Sequence, residues 1–196
     1  MPATAQQLIL ASGSIYRRRL LERLQIPFSW CAPDISELRQ SDEPPHLMAE
    51  RLSLSKATTC SNQYSDALII GSDQVAVLND QILGKPKTAE KAFEQLSLCS
   101  EKTVQFLTGL CLLDSATGKH QSTVIPFHVT FRQLSSDEIT RYIEKDQPLD
   151  CAGSFKWESL GISLFESLSG DDPTALEGLP LITLSKMLRI YGLQLP

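Results

Sequence analysis

The residue types that could do chemistry sit in a few short segments. The first is Ser12-Gly13-Ser14-Ile15-Tyr16-Arg17-Arg18-Arg19, directly after the apolar run Leu8 to Ala11. A loop of small residues between a strand and a helix leaves backbone N–H groups unpaired at the helix N-terminus. Those donors and the helix dipole both favour a phosphate. Arg17, in the first turn, can add a bidentate contact. Three cations at the positive end of a helix oppose its dipole, and a phosphate ligand would offset that for Arg17. Arg18 and Arg19 read better as a solvated basic face.

The second segment is Gly71-Ser72-Asp73-Gln74, which closes the apolar run Ala67 to Ile70. A carboxylate just past the C-terminal end of a buried strand lies where α/β sheets place their ligands. Asp73 there can hold Mg²⁺ or act as a base; taken alone, a turn-forming Asp is at least as good a reading. Gly84-Lys85-Pro86 fixes a turn and projects an ammonium suited to a phosphate oxygen. Cys151 to Glu158 combines small residues, two aromatics and one carboxylate, as a base pocket could be built, and reads equally as a partly buried connection. Asp34 to Glu37 offers a metal carboxylate after a strand, or simply an exposed acidic turn.

These segments need a scaffold. Leu8 to Ala11 predicts a buried strand. Leu20, Leu21 and Leu24 predict a helix with one apolar face, ended by Pro27, with a second strand over 28–31. A long helix is expected from about Asp42 to Ser61, capped by Ser41 or Asp42 with the prolines in its first turn. Ala67 to Ile70 is another buried strand. Val75 to Leu78, Asn79-Asp80 and Ile82-Leu83 form a hairpin. Helices over 88–98, 135–145 and 180–191 and strands over 104–113, 123–131 and 161–165 complete the pattern. Strands and helices alternate, with an antiparallel hairpin late in the chain, which predicts a mixed-sheet α/β fold.

The 196 residues fit one domain, 1–196, and 42% hydrophobic with 21% charged residues is an ordinary globular balance. A net charge of −5 disfavours general nucleic-acid binding, while a local cation cluster still suffices for a small anion. The five cysteines are odd in number and none form a C-x-x-C pair. That argues against a disulfide framework and a structural zinc site, and buried reduced thiols are expected for at least four of them. Met1 to Gln7 has no basic segment followed by an apolar run, and no apolar stretch approaches membrane-spanning length, so a cytoplasmic protein without membrane partners is expected.

In chain order, Leu10-Ala11-Ser12-Gly13-Ser14, Arg17, Glu37, Lys56-Ala57, Gly71-Ser72-Asp73, Gly84-Lys85-Pro86, Cys151-Ala152-Gly153 and Gly178-Leu179-Pro180-Leu181 resemble the Maf nucleotide pyrophosphatases over nearly the whole chain. Ile15 departs from the family, which usually has Pro there. The resemblance implies an α/β fold with a mixed central sheet, flanking helices and two lobes around a nucleotide cleft, often as a homodimer. It implies cleavage of a nucleoside triphosphate between the α and β phosphates with a divalent cation, Mg²⁺ or Mn²⁺. Ser12, Arg17, Lys56 and Lys85 then serve the phosphates, Glu37 and Asp73 the metal, and Asp73 matches the family's proton acceptor, with Glu37 and Lys85 completing the catalytic group. Base and metal-ligand roles for Asp73 stay open.

Three positions bear on the base. In the family branch acting on dTTP and UTP, the places of Tyr16, Gln74 and Glu158 resemble Arg, Thr and Gln; the 7-methyl-GTP branch has an aromatic, Gln and Glu, as here. N7-methylation leaves a positive charge on guanine, which an aromatic face attracts. A carboxylate can accept from the guanine N1–H and N2–H₂ together. The branch's aromatic is more often Trp than Tyr. The expected partner is thus a small-molecule nucleotide, in a role that removes modified nucleotides. The alternatives are the same chemistry on another modified or pyrimidine triphosphate, a non-catalytic nucleotide-binding regulator of septum formation, and a thiol hydrolase using Cys151, which lacks a recognisable His partner.

Overall fold

A computed structural model describes residues 6–196. The reading of the N-terminus falls mostly on residues 1–5, outside the described residues. The buried run Leu8 to Ala11 forms β1 (Gln7–Ala11), with β2 (Ser29–Cys31) and β3 (Ala67–Leu78) parallel on its two sides. β4 (Gln81–Leu83) folds back on β3 through Asn79 and Asp80, whose φ values of 48° and 66° suit a tight hairpin turn. β5 (Thr103–Asp114), β6 (His120–Phe131) and β7 (Phe165–Ser169) extend the sheet antiparallel, giving the order β2-β1-β3-β5-β6-β7 with β4 on β3. The helices are α1 (Ile15–Glu22), α2 (Pro45–Ser61), α3 (Ala89–Cys99), α4 (Ser136–Asp146) and α5 (Leu181–Ile190). The fold is therefore the mixed α/β sheet with flanking helices that the pattern of elements predicts.

The apolar core among the described residues falls into four clusters, and the two that carry α1, α3, α4 and α5 mark the lobes. In one, Leu8, Leu10 and Leu110 of the sheet meet Leu20 and Leu21 of α1 and Leu184 and Leu188 of α5. In the other, Phe106, Phe127 and Phe131 pack with Leu96 of α3 and Ile139 and Ile143 of α4. α2 spans the opposite face of the sheet. It can lie close because β3 and β5 carry glycines beneath it: a Cβ on Gly71 would stand 2.0 Å from the Ser53 carbonyl oxygen, and one on Gly109 2.1 Å from that of Ala49. No helix among the described residues is long and apolar enough to cross a membrane.

Four expectations are corrected. β3 does not stop at Ile70 but runs unbroken to Leu78, so Asp73 lies mid-strand opposite Gly109 rather than past a strand end. The polar stretch 71–74 stays in the sheet because β5 hydrogen-bonds it along its whole length. The N-cap of α2 is Pro44, with no side-chain cap, rather than Ser41 or Asp42. Residues 160–164 form a 3₁₀ turn, and the strand begins at Phe165; a short apolar run does not distinguish the two by periodicity. Finally, Cys31 and Cys60 are disulfide-bonded, with Cα atoms 6.2 Å apart, leaving Cys99, Cys111 and Cys151 free. The two cysteines are 29 positions apart and the sequence between them carries no sign of the pairing, which arises because β2 ends beside the last turn of α2.

Candidate active site

A cleft of about 1010 Å³ opens between the lobes, and all nine residues singled out from the sequence line it. The loop after β1 forms one end. The Ser14 side chain caps α1 by accepting from the Arg17 backbone N–H, and the Ser12 hydroxyl accepts from the Ser14 N–H at 3.1 Å. The Arg17 side chain turns back from the helix. Its Nε donates to the Gly178 carbonyl at 2.7 Å and its Nη1 to Ser12 Oγ at 3.4 Å. Burial lowers the Arg17 pKa from its ordinary value, and the charges of Asp73 and Glu37 pull it the other way. Gly13 is exposed beside it, so the loop presents backbone, hydroxyl and guanidinium to the same space.

The floor is ionic. Lys56, buried on α2, places Nζ 2.5 Å from Asp73 Oδ1 and 2.6 Å from Glu37 Oε1. The Gly71 and Gly109 contacts let α2 descend far enough to bring that ammonium over β3. Glu37 arrives from the loop after β2. That loop is tied to α2 by Arg51, which donates to both Glu43 oxygens at 2.5 and 2.8 Å and to the Leu38 carbonyl at 3.2 Å. The Arg51 bonds hold the Glu43 carboxyl down at about 2. Partial burial pushes Glu37 up, but the Lys56 hydrogen bond and the charges of Lys56, Lys85 and Arg17 outweigh it, so its pKa falls below the usual carboxylate value. Lys85 thus stands within electrostatic reach of Glu37, and no ion pair of its own is found among the described residues.

At the other end stand Tyr16 and Glu158. Tyr16 is half-buried on α1, and its phenol is pushed up to about 12, first by burial and then by the negative potential of Cys151, Asp150 and Glu158. Glu158 is exposed at the end of a loop that is itself well anchored. Phe155 is buried with ring centroids 5.3 and 5.6 Å from Phe106 and Phe131, Ser154 Oγ donates to Gln95 at 2.5 Å, and the Lys156 N–H donates to the Tyr142 hydroxyl at 3.0 Å. Gln74 departs from the expected picture. It points to the face of β3 opposite Asp73, and its amide nitrogen donates to Thr108 Oγ1 and to the carbonyls of Ala175 and Leu176. Only its oxygen remains for a ligand.

Cys151 is half-buried, with its thiol pushed up to about 12 by burial and by the neighbouring Asp150. Such a thiol is a poor nucleophile at neutral pH, which counts against the thiol-hydrolase alternative. Among the described residues no group of three or more His, Cys, Asp or Glu is arranged for a metal ion. The donor set that a hard divalent cation could use here is the carboxylate pair Glu37 and Asp73, which converge on one point now held by the Lys56 ammonium. Two carboxylates completed by water and phosphate oxygens fit Mg²⁺, which keeps several non-protein ligands.

A phosphate-type loop, an ammonium–carboxylate floor and an aromatic–acidic far end define an α/β protein built to hold an anionic ligand across two lobes. The chain belongs to the Maf-like protein family, whose sequence model matches residues 7–191. A 7-methyl-GTP pyrophosphatase of Pseudomonas putida is 55% identical to it, over 96% of this chain and 98% of that protein. Proteins of the same name from Pseudomonas aeruginosa and Alcanivorax borkumensis are 53% and 52% identical, each over 96% of this chain and over 98% and 96% of their own lengths.

Sequence reasoning on residue chemistry alone missed Lys56, which came only through the family resemblance. A signal was present: Ala49, Leu52, Ser53, Lys56, Ala57 and Cys60 repeat at helical spacing, and a lysine on a buried stripe needs a partner. It also missed Glu177, a cleft residue set between the buried Leu176 and Gly178.

Proposed function

We propose that the chain is a nucleoside-triphosphate pyrophosphatase that hydrolyses 7-methyl-GTP to 7-methyl-GMP and diphosphate. The observation that carries this reading is the placement of Lys56 between Asp73 and Glu37, facing the Ser12–Arg17 loop across one cleft. Ser12, Arg17, Lys56 and Lys85 bind the triphosphate and stabilise charge on the departing diphosphate. Asp73 accepts a proton from the attacking water, which bonds to the α-phosphorus as the bridge to the β-phosphate breaks. Glu37 and Asp73 hold a divalent cation, Mg²⁺ or Mn²⁺, which when bound polarises the phosphate oxygens. Tyr16 stacks on the base, Glu158 accepts from its Watson–Crick edge, and Gln74 acts through its oxygen and through the 173–177 turn that it pins. The chain works as one domain.

The preference for 7-methyl-GTP rests on the names of the relatives together with the aromatic and acidic groups at the far end of the cleft. The test is a panel of 7-methyl-GTP, GTP, dTTP and UTP, with products resolved chromatographically. The expected result is diphosphate release, best with 7-methyl-GTP, and loss of activity in excess EDTA. Orthophosphate as first product, or dTTP or UTP as the best substrate, would overturn it.

A further inference from the structure

We propose that Glu177 is a specificity-determining residue for this reaction, a further carboxylate lining the cleft, in addition to Asp150 and Glu158, that favours a cationic purine ring over a neutral one. The inference rests on the 7-methyl-GTP reading above. Glu177 ends the 3₁₀ turn Pro173–Glu177 and lines the cleft. Its backbone is among the most firmly held in the site. The Leu176 carbonyl accepts from Gln74 at 3.1 Å, and the Gly178 carbonyl accepts from Arg17 Nε at 2.7 Å and Ser72 Oγ at 2.8 Å. These bonds fix where the Cα of Glu177 stands on the cleft wall.

The side chain is 8% exposed, yet its only partner among the described residues is Arg23, whose Nη2 lies 3.4 Å from Oε1 and which is itself 57% exposed. That is a long contact to a solvated guanidinium, a weak compensation for a buried carboxylate. Oε2 has no protein partner, and it is not among the buried polar side-chain atoms lacking one, so it keeps a surface toward the cleft or the solvent. Burial raises the Glu177 pKa, and the charge of Glu158 raises it further against the pull of Arg23. Glu177 and Glu158 repel one another, and Glu158 and Asp150 act together on Tyr16, so negative potential gathers at that end of the cleft, away from Arg17, Lys56 and Lys85. A neutral guanine relieves none of that repulsion. A 7-methylguanine ring brings a positive charge into it, and discrimination follows from the difference between the two. Arg23 acts in opposition: it neutralises Glu177 in part and so tempers the preference.

The experiment measures kcat/KM for 7-methyl-GTP and GTP on wild type, Glu177→Gln and Arg23→Gln, with melting temperatures as a check on folding. Glu177→Gln is expected to lower the 7-methyl-GTP to GTP ratio by roughly three- to tenfold, the range of a partly solvated charge contact. Arg23→Gln is expected to raise the ratio. A clasp that merely ties the turn to α1 would make the two variants change both substrates alike and in the same direction, and that outcome would overturn the proposal. An unchanged ratio in Glu177→Gln, with the wild-type preference intact, sinks the Glu177 role alone. A wild type with no preference for the methylated base sinks both this role and the substrate reading on which it rests.

Discussion

Asp73 owes its position to its neighbours more than to its own type. It sits mid-strand with a glycine opposite on β5, and its carboxylate meets the Lys56 ammonium that α2 brings over the sheet. Replacing it by Asn keeps the shape and removes the charge that a base or metal ligand needs. Turnover should fall by roughly 10²–10⁴-fold while nucleotide binding persists, read by steady-state kinetics alongside product titration. Near-full kcat in Asp73→Asn would contradict the assignment. At the far end the two base contacts should separate. Tyr16→Ala should narrow the gap between 7-methyl-GTP and GTP by a cation–π contribution of about 0.5–2 kcal/mol. Glu158→Gln should instead weaken both guanine substrates together, at about 1.5–3 kcal/mol for a charged hydrogen bond. Equal loss on all four triphosphates from either variant would speak against a base contact.

Among the elements, α2 decides the site, because it carries Lys56 and, through Arg51, fixes the loop that brings Glu37. Its seat on the sheet depends on Gly109, where an added Cβ would meet the Ala49 backbone and not a side chain that could swing aside. Gly109→Ala should therefore lift α2, at a cost of about 1–3 kcal/mol of stability. Activity should drop beyond what unfolding explains, since Lys56 moves with the helix. Thermal melts and kcat measured well below the melting temperature check this, and an unchanged kcat would mean that Lys56 keeps its place without the close approach. Elements with local signals were legible in the sequence: the Asn79-Asp80 hairpin and the helices over 88–98 and 135–145, which the structure shows to be started by a Thr88 cap and a Ser135–Glu138 capping box. β3 was read as two pieces because Gly71 to Gln74 carry turn-type residues, and only the long-range ladder to β5 keeps them extended. The Cys31–Cys60 bond and the Gln74 contacts were illegible for the same reason. Each joins segments far apart in sequence, whereas the phosphate-type loop before α1 is made of consecutive residues and was legible as such.

The whole molecule sets two of its apolar clusters, those of α1 with α5 and of α3 with α4, in separate lobes joined by the long strands β3, β5 and β6. A ligand that touches the Ser12–Arg17 loop, the Lys56 floor and the Cys151–Glu158 loop at once bridges both lobes. The unfolded chain offers no such site, so occupancy must stabilise the fold by mass action: at a ligand concentration a hundred times Kd the gain is about 2.7 kcal/mol. For a chain of this size each kcal/mol moves the melting temperature by about 2–4 °C. A 7-methyl-GTP analogue with a methylene bridge between the α and β phosphorus atoms cannot release diphosphate and serves as the probe. With Mg²⁺ it should raise the melting temperature by roughly 5–10 °C. Without Mg²⁺ the shift should shrink, because the triphosphate then meets the Glu37 and Asp73 carboxylates with their charge less fully offset. The corresponding analogue of dTTP at the same concentration should give a smaller shift, since it keeps the phosphate contacts and loses those at Tyr16 and Glu158. Equal shifts from the two analogues would locate the affinity in the phosphate end alone and leave the base end without a part in binding.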